Sequence, residues 1–400
     1  GEEGFGEAPP YFAVRLGRCV GPGVSHAERM SFLRFSAQFL YHTLWLGDAA
    51  ADARGAVMCR LARANRASYL SAQARLDVPM AGHSRGFLAV HRELKGAEAA
   101  VAECREAGEE ASLVPWEEAV REVPRLGRLP FGPLFVVRRV DDHTASCEQF
   151  ARHLMEESKA GGVQYVPGIV DRLEVVRGEK NENTFRVTTK DNVYHEFDLL
   201  ILAGGERTPL LAAQLGVGEY CPTYPLRGFS MTLHCPDPAE STKPGNLLQQ
   251  PFSVDSMYCT SVTPHMARMA GFGEFVGYRE KSEAFPSQAP RILSRYAQKL
   301  FPDAEDCGPE RAQACYRPVS PDDIPLVGEV PSLPGLFLHT GHGTLGWTVG
   351  LATGECVAQA VVDKVGGRLI PQDAVFNLAD GTTIERSVLS PGRFAHAASI

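Results

Sequence analysis

The residues best placed to do chemistry stand at 341–346. There GHGTLG spells G-x-G-x-x-G between an apolar run, GLFLH (335–339), and the helix-like stretch WTVGLATGECVAQAVVDKV. Glycines at 341, 343, 346 and 350 let the backbone pass close to a ligand. A helix starting at such a point presents free N–H groups and its positive dipole end to whatever lies in front of it. The junction therefore suits negative charge, either a bound anion or charge that develops during a reaction. A dinucleotide fingerprint needs one part more, a second strand ending in an acid about 20 residues on, to hold a ribose hydroxyl. Here the helical pattern runs to 365, Asp363 falls within it, and GGRLIPQDAVF follows, broken by Pro371. The loop is read as a charge-stabilising junction that only spells the fingerprint. The plainer alternative is glycine used for close strand–helix packing.

A second junction lies in DLLILAGGERTPLLAAQLG (198–216), where a continuous apolar run meets two glycines and then a helical pattern. That order predicts a buried parallel strand delivering its C-terminal end to a site. No Ser/His/Asp or Cys/His constellation stands out, and no residue is assigned as a general base. The cysteines at 19, 59, 104, 147, 221, 235, 259, 307, 315 and 356 form no C-x-x-C and no zinc spacing with histidine. They read as free thiols of a reducing compartment, cytoplasmic or mitochondrial, with no metal site.

The elements that must position these junctions divide the chain by pattern. Ser25-His26-Ala27-Glu28 is a capping box that opens a helix reaching about 46. A second helix is expected over 56–76, a strand at 85–91 and a helix over 97–108, with Pro115 in the first turn of another. GPLFVVRRV (132–140) reads as a strand and ASCEQFARHLMEESKAGG (145–162) as a helix closed by glycine. VQYVPGIVDRLEVV and TFRVTT alternate as strands, with KDN (190–192) turning into VYHEFD. From 221 to 320, RGFSMTLHC, MYCTSVTP and HMARMAGFGEFVG suggest an antiparallel sheet set between two α/β segments. The fold class is mixed, α/β with α+β character.

Composition narrows the class. A chain of 400 residues with 44% hydrophobic content can bury a large core, and its net charge of −8 argues against nucleic acid, whose binding needs a basic surface. No transmembrane segment is expected, since no apolar run approaches the ~20 residues a span requires. The start of the chain lacks both the basic and the apolar region of a signal peptide.

YRPVSPDDIPLVGEVPSLPGLFLHTGHGTLGWTVGLATGECVAQAV (316–361) resembles the C-terminal flavin-binding segment of the D-amino-acid oxidase superfamily of FAD-dependent oxidoreductases, nearest to bacterial-type D-amino-acid dehydrogenases. YPLRGFSMTL (224–233), MYCTSVTPHMARMAGFGEFVGY (257–278) and FDLLILAGG (197–205) are similar to three further family segments, in the same order. The resemblance implies FAD as cofactor and hydride transfer from the Cα of an amino acid to flavin N5. The imino acid then hydrolyses to a 2-oxo acid and ammonia.

It also implies site residues. Gly341, His342, Gly343, Thr344, Leu345, Gly346, Trp347 and Thr348 would lie at the flavin ring, with amides around 342–345 facing its N1 and C2 carbonyl. Ala203, Gly204 and Gly205 would approach the phosphate–ribose region, and Val170 the adenine. Arg317 would hold the substrate carboxylate, for which its planar fork is suited, with Tyr258 and Tyr224 lining the pocket. Cys315 lies where related sarcosine oxidases link FAD covalently. Electrons would pass to oxygen, a quinone or a carrier protein.

The sequence departs from the family at its start, where neither GEEGFGEAPP nor RCVGPGVSH supplies the family's strand–G-x-G-x-x-G–helix unit. The expectation is a discontinuous, N-terminally incomplete FAD-binding Rossmann-like domain, with an inserted antiparallel-sheet substrate domain and a helical segment. Its divisions are 1–24 irregular, 25–135 mainly helical, 136–220 FAD-binding, 221–320 substrate sheet, 321–380 C-terminal FAD-binding and 381–400 tail. Two alternatives are an FAD-free relative acting as a binding protein, and a sarcosine- or glycine-type secondary amine oxidase.

Overall fold

Strand Tyr224–His234 alternates side chains across a large sheet, sending Phe229, Met231 and Leu233 to one buried face. The computed structural model describes residues 12–14, 19–21, 24–76, 84–129, 134–177, 183–235, 247–248, 250–255, 257–278, 287–371 and 373–399. Among them the large sheet runs in the order Gln313–Val319, Tyr224–His234, Met266–Phe275, Met257–Thr263, Phe252–Val254, Ser84–His91, Phe135–Thr144, Ala111–Val114. Phe12–Val14 pairs in parallel with Met266–Phe275 off this path. Helix Ala289–Leu300 covers the buried face, turning Ala289, Leu293, Tyr296, Ala297 and Leu300 inward at helical spacing.

A smaller sheet carries the glycine junctions. Leu336–Thr340 runs antiparallel to Leu326–Glu329 on one side and parallel to Leu200–Leu202 on the other. Helix Gly346–Val365 follows the middle strand and buries Val349, Ala352, Cys356 and Val357 against Val57, Leu61 and Ala64 of helix Gly47–Leu76. A three-stranded meander, Val170–Arg177, Asn183–Thr189 and Tyr194–Phe197, stands alongside, its last turn carrying Asn192 at φ 59°.

Several expectations are met locally. The Ser25 capping box is formed, with Glu28 N–H donating to Ser25 Oγ at 3.3 Å and Ser25 N–H to Glu28 Oε2 at 2.8 Å. Others are corrected. The first helix spans His26–Leu40 and passes into a π-helical turn, Tyr41–Trp45; the next helix begins at Gly47, not 56, where φ is +71°. The mainly helical segment 25–135 contributes two strands, Ser84–His91 and Ala111–Val114, to the large sheet. Phe135–Thr144, expected in the FAD-binding segment, pairs with Ser84–His91 and Ala111–Val114, so the chain leaves the large sheet only at helix Cys147–Ala160.

The strand of the second junction is parallel but not fully buried: Ile201 is 43% exposed, because Leu200–Leu202 pairs on only one edge among the described residues. Gly343–Val365 is long and apolar enough to cross a membrane by length and composition alone; 28% of its apolar window is buried, with Val349, Ala352, Cys356 and Val357 packed towards Gly47–Leu76.

The segment 381–400 is not a loose tail over its described part. Thr383–Glu385 closes a hairpin with Val375–Asn377, and Pro391–Ser399 forms a 3-10 helix. Arg393 anchors it, donating from Nε to Asp322 Oδ2 at 2.8 Å and from Nη2 to Asp322 Oδ1 at 3.1 Å. The same guanidinium caps the carbonyls of Ile324, Pro325, Leu389 and Ser390. Asp322 is 4% exposed, and a buried carboxylate needs such a partner.

Candidate functional site

The two glycine junctions meet at the C-terminal ends of adjacent parallel strands. The register pairs Leu336 with Leu200, Phe337 with Ile201 and Leu338 with Leu202, so both chains leave the sheet at the same level. Thr340 Oγ1 donates to the Gly205 carbonyl at 3.3 Å and ties one junction to the other. Crevices of this kind, at strand ends of α/β sheets, are where ligands bind.

Backbone geometry explains the glycines at two positions. Gly341 turns at φ +80°, and a Cβ there would meet Thr223, Leu326 and Ser320 at 3.2–3.4 Å. Gly205 turns at φ +58° with open space before it. Gly343–Leu345 then forms a single 3-10 turn into helix Gly346–Val365. That helix has no side-chain cap at its N-terminus and no acid in its first turn. Its N–H groups and dipole are thus left for an external negative charge.

After the helix the chain enters the hairpin Val375–Asn377/Thr383–Glu385, which belongs to a separate two-stranded sheet. A dinucleotide fingerprint requires a returning parallel strand, so GHGTLG lacks that context.

The loop is braced from behind. His339 and His342 direct Nε2 at the hydroxyl of Thr353, at 3.0 and 2.9 Å, with their rings 4.7 Å apart edge to face. Thr353 Oγ1 lies 3.0 Å from the Val349 carbonyl and 3.1 Å from that of Gly350. A hydroxyl that gives its one proton to a carbonyl has only lone pairs left for the rings, which fixes both imidazoles as neutral Nε2–H donors. Burial pushes the pKa of His339 down to about 4; burial, with His339 beside it, pushes that of His342 down to about 3. Thus the side chain of His342 faces inward, and only its backbone belongs to the exposed loop.

Arg317 connects the large sheet to this loop. Its strand, Gln313–Val319, ends where Val319 bridges His342. Two strand residues place the Arg317 backbone about 7 Å from that bridge. The side chain crosses the neighbouring strand at Gly228, where a Cβ would stand 2.4 Å from Arg317 Cζ. Beyond it, Nη1 donates to the Phe272 carbonyl at 3.0 Å. Phe272 sits at φ +63°, strained for a bulky residue, where the register between Tyr224–His234 and Met266–Phe275 slips.

Three other buried or half-buried arginines are ion-paired, Arg227 with Glu274, Arg125 with Asp303 and Arg386 with Asp363. Among the described residues Arg317 meets no carboxylate.

Register sorts the remaining candidates. Cys315 opposes Gly228 and Arg317 opposes Leu226, so Cys315 shares the face of Arg317. Ser230 pairs with Ala270, and Ala270 with Tyr258, which brings Tyr258 to the same face, 52% exposed. Tyr224 is instead shut inside an aromatic cluster, with ring centroids 5.1 Å from Phe32, 5.6 Å from Phe35 and 5.5 Å from Tyr278. It is 1% exposed and packs as core.

Val170 opens its strand opposite Thr189, 38% exposed. Gln214, at the end of the helix after the second junction, binds that strand through Leu173 N–H and the Asp171 carbonyl. Thr344, Leu345, Trp347, Thr348, Ala203 and Gly204 lie exposed at the two junctions.

Gly228, Phe272 and Thr353 were not singled out from sequence. The only available signal was Gly228 itself, a glycine inside a strand, which marks close approach by another group.

These residues fit a flavin. Gly205 and Gly350 border open space, and two buried hydroxyls, Thr208 Oγ1 and Ser320 Oγ, have no hydrogen-bond partner among the described residues. Thr208 lies beside Gly204, and Ser320 beside Gly341. One such hydroxyl stands at each junction, free to meet a ligand.

The chain is similar to known proteins along most of its length. It is 32% identical to a D-amino acid dehydrogenase of Rhizorhabdus wittichii over 58% of this chain and 51% of that protein. It is 27% identical to one of Vibrio vulnificus over 72% of this chain and 66% of that protein. The chain thus spans about half to two thirds of the length of these curated relatives. Among solved structures, glycine oxidase from Geobacillus kaustophilus superposes with a TM-score of 0.60 at 20% identity, covering 78% of this chain and 79% of that one. L-proline dehydrogenase from P. horikoshii superposes with 0.63 at 16% identity, covering 84% and 83%. The mixed α/β fold is that of these proteins. The family described as FAD dependent oxidoreductase (DAO) matches residues 19–360, and the chain belongs to it.

Proposed function

We propose that the protein oxidises an amino acid with FAD, a D-amino acid in the first instance, and yields a 2-oxo acid and ammonia after hydrolysis of the imino acid. The observation that carries this reading is Arg317: a half-buried guanidinium that meets no carboxylate among the described residues, held over Gly228 and one bridge away from the glycine loop. Its fork suits a substrate carboxylate from outside the chain. The similarity to the D-amino acid dehydrogenases of Rhizorhabdus wittichii and Vibrio vulnificus supports the same substrate class.

The flavin, when bound, supplies the two-electron acceptor for the substrate Cα–H bond. The loop at 342–348 would hold it through backbone N–H groups, and the dipole of helix Gly346–Val365 would favour the negative charge that reduction brings. Ala203, Gly204, Gly205 and Val170 would seat the remainder of the cofactor. Arg317 orients the substrate, and Tyr258 borders the same sheet face. Neutral His339 and His342 are committed to Thr353, so neither is free as a general base, and an amine arriving neutral needs none.

The electron acceptor is oxygen, a quinone or a carrier protein, which artificial dyes replace in an assay. The test is dye reduction by the protein with added FAD and a panel of D-, L- and N-methyl amino acids. D-amino acids are expected to support turnover and to release 2-oxo acid. Turnover with N-methyl substrates alone would move the reading to a secondary amine oxidase. No turnover with any of them, despite bound FAD, overturns it.

A further inference from the structure

Asn65 lies on helix Gly47–Leu76, 8% exposed, and reaches into the first turns of helix Gly346–Val365. Its Nδ2 donates to the Trp347 carbonyl at 3.1 Å, and its Oδ1 accepts from Leu351 N–H at 2.8 Å and Ala352 N–H at 3.3 Å. Trp347 and Leu351 are four residues apart, the spacing at which helix carbonyl and amide pair with each other. A side-chain amide supplies a donor and an acceptor to such a pair at once, from two separate atoms. Tyr69, one turn further along the same helix, meets the Trp347 ring edge to face at 5.6 Å, and Phe150 meets it at 5.5 Å. Helix Gly47–Leu76 therefore grips Trp347 by its backbone and by its ring. Asn65, Tyr69, Phe150, Trp347 and Gly350 together line a cavity of about 390 Å³.

We propose that Asn65 is a positioning residue: it fixes the helix start at 346–352, so that the amides of the glycine loop are held in place before any ligand arrives. The clamp itself stands on geometry alone; its effect on the cofactor rests on reading the loop as the seat of the flavin. Thr353 and the two histidines hold the loop from one side, and Asn65 holds the next turn from another.

Two arms test this in the full chain. The first is hydrogen exchange without FAD. Asn65→Ala is expected to lower protection of the Leu351 and Ala352 amides by about tenfold, the loss of roughly one net hydrogen bond, while amides from 355 onward keep theirs. The second is FAD titration with measurement of the flavin reduction potential. Asn65→Ala is expected to weaken FAD about tenfold. Asn65→Asp keeps the shape and the acceptor but places a negative charge at the helix start. It is expected to shift the potential downward further than Asn65→Ala does, a readout that plain destabilisation does not move. If Asn65→Ala does not fold, Asn65→Leu, of similar size but with neither donor nor acceptor, carries the exchange arm, and Asn65→Asp the potential arm. Wild-type protection at Leu351 and Ala352 in both variants overturns the clamp. Altered protection with unchanged FAD affinity and potential overturns its positioning role. Wild-type protein that takes no FAD counts against the proposed function and leaves the exchange arm to decide on the clamp.

Discussion

The guanidinium of Arg317 occupies the space that a side chain at Gly228 would need. A Cβ at 228 would stand 2.4–2.5 Å from Cζ, Nη1 and Nη2, far inside van der Waals contact. The absence of a side chain at one strand position thus sets the path of an arginine on the next strand. Gly228→Ala is expected to push Arg317 away from Phe272 while leaving the glycine loop intact. KM for a carboxylate substrate should rise about tenfold or more, with FAD affinity unchanged, the signature of lost substrate binding. Steady-state kinetics alongside FAD titration check this.

Arg317→Ala removes the fork outright, and Arg317→Lys keeps the charge but not the planar pair of donors. Loss of two charge-assisted hydrogen bonds should lower kcat/KM by about 100-fold or more in the alanine variant. The lysine variant should recover only part of this. Equal kcat/KM in wild type and Arg317→Ala would remove Arg317 from the site.

His339 and His342 predict an acid-sensitive loop. Both have pKa values depressed by burial, to about 4 and about 3, below the ordinary histidine value of 6.5. The folded protein therefore binds fewer protons than the unfolded chain between about 6.5 and the folded values. Stability is fully present above 6.5 and is lost as pH falls through that window, by at most about 1.4 kcal/mol per pH unit for each ring. Urea unfolding between pH 7 and 4 measures it. His342→Gln, which cannot take up a proton, should show a shallower acid limb than wild type. Identical limbs would mean that the rings do not stay neutral on folding.

Arg393→Ala leaves Asp322 buried without its bidentate partner and uncaps four carbonyls. Breaking a buried pair from one side costs about 3–5 kcal/mol, so a large fall in the urea midpoint is expected. Restoring neutrality with Asp322→Asn in the same chain should recover part of it, as a double-mutant cycle would show.

Local chemistry was legible in the sequence. The capping box at Ser25, the strand–glycine–helix order at 335–365 and the parallel strand before Gly204 all follow from short-range pattern. Long-range pairing was not. Phe135–Thr144 looks like any strand in its sequence, and nothing local says that it joins Ser84–His91 across 43 intervening residues or more. The anchoring of the last segment is likewise long-range: Arg393 has meaning only beside Asp322, 71 positions earlier. Tyr224 and Tyr258, both strand tyrosines, are indistinguishable in sequence; only the cluster around Phe32 and Phe35 marks Tyr224 as core, while Tyr258 stays exposed. His342 was placed rightly in the loop, but its ring direction depends on Thr353, eleven residues along the helix.

The central claim is that the twin glycine junctions seat a flavin which an amino acid held by Arg317 reduces. The most direct measurement is an anaerobic titration of the purified, FAD-reconstituted protein with D-amino acids, following the visible absorbance of oxidised flavin. The account predicts a saturable bleaching of that band in wild type. In Arg317→Ala the protein should stay yellow and bleach only at far higher substrate concentration. Protein that takes up no FAD, or flavin that stays oxidised with every amino acid, would contradict it.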